Sequence, residues 1–212
     1  MKHITVITGH YGSGKTTFAA NLAAQYRRQG AVRIVDMDTV NPYYRTADLS
    51  RFFEENDIAM TAPMYARSNL DIPSLDYDIP TLAEQSPLII DLGGDDAGAY
   101  PVGKYAAYLE STGYDMYYAV NFCRLLTHTP EEALDILREV ENASRLRATA
   151  IVNNTNLGRE TTEDTIVKGE DLAGKLSEMA ELPILCTTAP DFLATDGDYC
   201  KVKILIKNIW EE

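Results

Sequence analysis

Eight consecutive residues, Gly9-His10-Tyr11-Gly12-Ser13-Gly14-Lys15-Thr16, carry the most specific chemistry in the chain. They satisfy the pattern GxxxxGK[ST] completely. They also follow an apolar, β-branched run (ITVIT, Ile4 to Thr8) and open a stretch of helical spacing, the context this pattern requires. Gly12 and Gly14 let the backbone curl until successive N–H groups point at one phosphate, and Gly9 suits a tight exit from the strand. The helix behind the loop adds the positive end of its dipole. In that arrangement Lys15 reaches the β and γ phosphates of a nucleotide and the Thr16 hydroxyl binds Mg²⁺, with Thr17 closing the binding segment. The competing explanation is a Gly-rich strand-to-helix turn that binds nothing.

Three carboxylates are placed to serve such a loop. Asp91 ends the apolar run LIID, where a carboxylate can approach Mg²⁺, commonly through water. Gly93 and Gly94 follow it and would let a backbone N–H swing toward a γ-phosphate. Asp95 and Asp96 fit a solvated acidic turn as well as a role. Asp36 and Asp38 close a second strand, VRIVD, in the segment IVDMDTVNP. Two residues apart on an extended chain, they point the same way. Asp38 is the candidate for positioning an attacking water, and Asp36 for the outer shell of the metal. For either one alone, capping a helix or turn is the plainer role.

The elements that must position these groups alternate along the chain. Ile4 to Thr8, Val32 to Asp36, Leu88 to Asp91, Asp115 to Asn121, Ala148 to Asn153 and Ile184 to Cys186 read as strands. Helical spacing is expected from Thr16 to Gln29, from about Ala47 to Asn56, and over Thr81 to Gln85, Val102 to Glu110, Pro130 to Ser144, Lys168 to Ala180 and Val202 to Trp210. Thr39 to Arg45 is an irregular loop. The stretch from about 60 to 87, with Pro63, Pro73, Pro80 and Pro87, is an irregular excursion. Strand-helix alternation with no linker predicts one α/β domain over 1–212. Its expected form is a P-loop NTPase-type three-layer sandwich with a mostly parallel sheet, and such sheets place ligands at the carboxyl ends of their strands.

Composition narrows the partners. The chain has 212 residues, 45% of them hydrophobic, and a formal net charge of −13. A surface that negative repels phosphate backbones, so direct nucleic-acid binding is not expected. Cys123, Cys186 and Cys200 are far apart, with no CxxC or CxC, and read as free thiols in a reducing cytoplasm. The N-terminal apolar run is too short for a signal peptide, and no window approaches the roughly 18 apolar residues of a membrane span. A cytoplasmic location is the expectation.

With these residues placed, the chain resembles the ParA/MinD family of P-loop ATPases (the CobQ/CobB/MinD/ParA nucleotide-binding domain). The early phosphate loop, the VDMD segment with Asn41-Pro42 close behind, and IIDLGG match in order and spacing. The resemblance implies ATP and Mg²⁺ as cofactors, a homodimer, and a protein partner whose identity the family name does not supply. It also implies that Asn153, or alternatively Asn154, lies on the adenine side in AIVNNTNLG. Thr187-Thr188-Ala189-Pro190-Asp191 would wrap the base, with Pro190 in contact, and Thr129-Pro130-Glu131 looks like a family helix start. One departure stands out. The family's signature lysine directly follows the first glycine and reaches across the dimer; here His10 occupies that position, followed by Tyr11 instead of the usual glycine. The resemblance thus implies nucleotide binding, while dimer-dependent hydrolysis lacks its lysine. A protonated His10 could replace it, and Arg45 and Arg124 are other cross-subunit cations to weigh against plain surface roles.

Three functions remain open on these grounds. The first is an ATPase, cleaving ATP to ADP and phosphate, that works as a nucleotide-dependent switch or maturation factor. The second is a small-molecule kinase or ligase, with a substrate held near Met60 to Pro87 by residues such as Tyr43, Tyr44 and Tyr65. The third is a nucleotide-binding module that does not hydrolyse. The late-strand segment Asn153-Asn154-Thr155-Asn156 lacks the Lys and Asp of the guanine signature NKxD, which favours adenine.

Overall fold

The structure is a computed structural model and describes residues 3–38, 49–62 and 77–205. Strand β1 (Ile4–Thr8) is buried along its whole length. Continuous burial of β-branched residues marks a strand covered on both faces. The strands that join it are β2 (Arg33–Asp36), β3 (Ala59–Thr61), β4 (Leu88–Asp91), β5 (Asp115–Val120), β6 (Ala150–Asn153), β7 (Ile184–Pro190) and β8 (Cys200–Val202). Their order is β3-β2-β4-β1-β5-β6-β7-β8, and every pairing is parallel. The sheet is therefore wholly parallel.

Side chains alternate across this sheet and sort the helices into two layers. On one face Ile7 of β1 and Ile89 of β4 pack against α1 (Lys15–Arg27) and α2 (Ser50–Glu55). On the other, Ile4, Val6, Leu88 and Ile90 meet α3 (Ile79–Gln85), α4 (Asp96–Ala99), α5 (Ala106–Thr112) and α6 (Pro130–Ser144). Farther along that face, Tyr118 and Ile151 meet α6 and α7 (Glu163–Ala180). The result is a three-layer sandwich.

Several boundaries differ from the sequence expectation, each for a local reason. Helix α7 begins at Glu163, well before Lys168, because Thr162 and Thr165 form a reciprocal cap. The segment expected as one helix from Val102 splits into a 3-10 turn, Tyr100–Tyr105, and then α5. Strand β7 continues past Cys186 to Pro190 because β8 pairs with its last three residues. Val202, expected to open a closing helix, instead ends β8. It pairs with Pro190 and satisfies the outer edge of β7. Residues 203–205 of that expected helix are not helical, and 206–210 lie outside the described residues, as do Thr39 to Arg45 and half of the 60–87 excursion, 63–76. Its described ends hold β3, which the sequence reading missed, and α3.

Two glycines of α7 test this packing. At Gly174 an added Cβ would meet nothing within 4 Å, whereas at Gly169 it would lie 2.5 Å from the Thr155 Cβ. Replacing an interior helix glycine in open space by alanine gains about 0.5–1 kcal/mol. Thermal unfolding should thus show a raised Tm for Gly174→Ala and a lowered one for Gly169→Ala.

Candidate functional site

The loop between β1 and α1 lies at the carboxyl edge of the sheet, with the ends of β4 and β5 on either side of it. Gly9, Gly12 and Gly14 all have positive φ, at 154°, 77° and 83°. Gly14 is the N-cap of α1 in the left-handed region, and no side chain caps the helix behind it. Helices α6 and α7, by contrast, carry complete capping boxes. An uncapped N-terminus with Lys15 and Thr16 buried in its first turn leaves backbone N–H groups for an anionic ligand. The loop is braced from within by Ser13 N–H donating to the His10 carbonyl at 3.0 Å. Tyr11 is half exposed. The His10 Nδ1 and Ser13 Oγ are buried with no hydrogen-bond partner among the described residues.

The carboxylates gather on Lys15 and Thr16. Register pairs Asp36 of β2 with Asp91 of β4, and β4 in turn lies beside β1, so all three strand ends converge. Lys15 Nζ stands 2.8 Å from Asp38 Oδ2, both side chains nearly fully buried. Thr16 Oγ1 donates to Asp91 Oδ2 at 2.7 Å. Asp36 is set back: its Oδ1 accepts the Asp38 N–H at 3.1 Å, and the Tyr77 hydroxyl donates to its carbonyl at 2.7 Å. Burial pulls the Lys15 pKa down. Attraction to Asp91 and Asp38, the bond to Asp38 and the field of Asp36 together outweigh it, and the ammonium titrates above its ordinary range.

The next turn, after β4, touches the loop directly. A Cβ on Gly94 would lie 1.9 Å from the Gly9 carbonyl oxygen, so the two backbones run in contact there. Thr8 Oγ1 donates to the Gly93 carbonyl at 3.1 Å. On the far side the structure separates the two asparagines. Asn153 is fully buried, with its Oδ1 accepting from the Thr155 hydroxyl and its Nδ2 donating to Thr187. Asn154 is the one that reaches the loop. Its Nδ2 donates to the Ser13 carbonyl at 2.6 Å, and its Oδ1 accepts from Thr188. It thereby ties the loop to the strand that ends at Pro190. Thr188 belongs to the segment expected to wrap a base, whereas the buried Asn121 just after β5 was not expected as a site residue; a polar residue at the carboxyl end of an apolar strand was its signal.

The donor set suits Mg²⁺. A threonine hydroxyl and a carboxylate are hard oxygen ligands, and they already meet at the helix N-terminus. Among the described residues no group of three or more His, Cys, Asp or Glu side chains forms a metal cage.

A wholly parallel sheet between two helical layers, with a phosphate loop at the end of β1 and an aspartate at the end of the adjacent strand, is the P-loop NTPase fold. Solved structures agree in fold. FtsY from Thermotoga maritima superposes with a TM-score of 0.56 at 14% identity, over 90% of this chain and 62% of that one. FtsY from Mycoplasma mycoides gives 0.55 at 18%, over 88% and 60%. The signal recognition particle 54 kDa protein of Aeropyrum pernix, solved with GDP, gives 0.54 at 18%, over 87% and 40%. In sequence, the chain is similar to the tyrosine-protein kinase YwqD of Bacillus subtilis. The two are 35% identical over 72 residues, which is 34% of this chain and 29% of that protein. The chain thus spans less than two thirds of each of these proteins. No protein-family model matches it. No helix among the described residues is long and apolar enough to cross a membrane.

Proposed function

We propose that this chain binds ATP with Mg²⁺ and hydrolyses it as a nucleotide-dependent switch of the ParA/MinD type. The observation that carries the proposal is the pair of contacts at the loop, Lys15 to Asp38 and Thr16 to Asp91. Lys15 rests on Asp38. When a nucleotide enters, the ammonium turns to the β and γ phosphates, and Asp38 is released to orient the attacking water. Thr16 and Asp91 would hold Mg²⁺, with Asp36 behind them, and the ion would supply charge neutralisation at the transferring phosphoryl. The segments after β2 and β4 follow the presence of the γ-phosphate, which makes the protein readable by a partner protein. The homodimer and the cytoplasmic setting belong to the same proposal; free thiols and a need for ATP fit that compartment.

Adenine is preferred over guanine for a chemical reason. A guanine base offers N1–H and N2–H donors that a carboxylate would accept. Asn154 holds the loop, and the residue three positions on, where NKxD has its aspartate, is Leu157. We place the base beside Asn154 and the Thr188 to Pro190 stretch. A second reading, phosphoryl transfer to an acceptor other than water, has one observation in its favour: the 72-residue similarity to a kinase.

Phosphate release with Mg²⁺-ATP and with Mg²⁺-GTP, across protein concentrations, tests the proposal. Release with ATP whose rate per chain rises with concentration is expected. Turnover of GTP in preference to ATP would overturn the adenine assignment. Tight ATP binding with no release would leave the kinase reading or a non-hydrolysing module.

A further inference from the structure

The sheet leaves one carbonyl at the site without a ladder partner. Residues of β2 alternate between its two neighbours. The Arg33 and Met37 N–H groups face β4 and donate to the Pro87 and Asp91 carbonyls at 3.0 and 2.8 Å. Val32, Ile34 and Asp36 are out of step with them and face β3, where the Ala59 N–H donates to the Val32 carbonyl at 3.3 Å. The last pair of that ladder is Val35 with Thr61. The same spacing would next call on position 63 to serve the Asp36 carbonyl, and Pro63 has no N–H to give. Asp36 is fully buried, so its carbonyl needs a donor from elsewhere.

Tyr77 supplies it. The residue lies just ahead of α3, buried in the core cluster that holds Val35 and Met37. Its hydroxyl donates to the Asp36 carbonyl at 2.7 Å. Its own carbonyl accepts from the Tyr105 hydroxyl, so the residue is held at both ends. Burial, and then the charge of Asp36, raises the phenol above its ordinary range and keeps it a donor at neutral pH.

The bond fixes a peptide that the site depends on. The Asp36 carbonyl and the Met37 N–H belong to one planar peptide. Tyr77 pins its oxygen and the Asp91 carbonyl pins its N–H. Asp36 Oδ1 then accepts the Asp38 N–H at 3.1 Å, and Asp38 Oδ2 stands 2.8 Å from Lys15 Nζ. With the oxygen unpinned, that peptide can tilt, and a tilt carries the Asp36 carboxylate and the Asp38 backbone with it.

We propose that Tyr77 is a positioning residue for ATP hydrolysis, its hydroxyl fixing the Asp36-Met37 peptide and thereby aiming Asp38 at the attacking water. The inference rests on the ATPase reading above. Phosphate binding relies on Lys15, Thr16 and the N–H groups of the loop, so the effect of Tyr77 falls on the chemical step and not on nucleotide affinity.

Single-turnover phosphate release from Mg²⁺-ATP, read beside ATP affinity and Tm, tests this on the full chain and on Tyr77→Phe, which deletes only the hydroxyl. The rate should fall about tenfold while ATP affinity stays within about twofold. Tyr118→Phe is the control, because it also deletes a buried tyrosine hydroxyl, one that donates to the Ala133 carbonyl at 2.9 Å. It should lower Tm as Tyr77→Phe does and leave the rate within about twofold. In an Asp38→Asn chain, adding Tyr77→Phe should cost less than about twofold more, since the route through Asp38 is already cut. A full tenfold loss in that background, an unchanged rate in Tyr77→Phe, or an equal fall in rate and ATP affinity would overturn the proposal and leave the ATPase reading standing. Wild-type protein that binds ATP and releases no phosphate would sink that reading, and the role of Tyr77 with it.

Discussion

Lys15→Ala should lose nucleotide binding, with affinity for Mg²⁺-ATP falling by about 3 kcal/mol or more, on the order of a hundredfold or greater. The same substitution should destabilise the free protein. Lys15 is buried against Asp38, and removing one partner of a buried ion pair strands the other charge, which costs about 3–5 kcal/mol. These two consequences can be separated. In Lys15→Met combined with Asp38→Asn, both charges are gone, so urea unfolding should show stability restored while ATP binding stays absent. The pH dependence has a definite sign. The folded-state pKa of Lys15 is raised above the ordinary 10.5, so its contribution is present below that value and disappears as pH climbs through the folded pKa. The stability gap between wild type and Lys15→Ala should hold at neutral and mildly alkaline pH and close only above it. Unchanged ATP affinity in Lys15→Ala would remove the phosphate loop from any nucleotide site.

Gly94→Ala is expected to be as damaging without touching a charge. The added Cβ would fall 1.9 Å from the Gly9 carbonyl oxygen, 2.6 Å from its carbonyl carbon and 2.9 Å from the His10 Cα. All three are backbone atoms, so no rotamer change relieves the clash. Either the turn after β4 or the phosphate loop must move, which puts the cost among the exceptional single substitutions, about 4 kcal/mol or more. Urea denaturation and ATP titration together read the result. A variant that still folds should show the loop displaced and ATP binding lost. Gly30→Ala is the control: its Cβ would meet nothing within 4 Å, and its effect should stay within about 0.5 kcal/mol. A Gly94→Ala chain with wild-type stability and ATP affinity would contradict the backbone contact described here.

What these experiments probe was legible in the sequence to different degrees. The phosphate loop was fully legible because it is a local device. Its glycines, lysine and threonine are contiguous, and the strand before and helix after carry their own periodicity. The strand-end aspartates were legible as candidates, since a carboxylate closing an apolar run stands at a predictable edge of a parallel sheet. The residues they touch were not. Asp38 meets Lys15 and Asp91 meets Thr16 because β4 lies between β1 and β2, an order that is a property of the whole sheet.

The remaining decisions turned on single residues. Asn153 and Asn154 are adjacent, and in extended chain adjacent side chains face opposite ways. Knowing the strand's end to within a residue or two cannot say which one faces the loop, whereas packing against Thr155 and Thr187 does. The segment at Val202 is apolar enough for helix or strand, and the open edge of β7 chose strand. Arg124 is a surface residue, as expected, but its bond to Gly12 was not legible because that partner is remote in sequence and offers only a carbonyl. The sequence alone thus determined the phosphate loop, the helix behind it and the alternating α/β plan, all written in contiguous residues. Tertiary structure decided which charges meet, which asparagine clamps the loop and which arginine leans on it. Those contacts depend on strand order and on the length of each strand, which only the assembled sheet fixes.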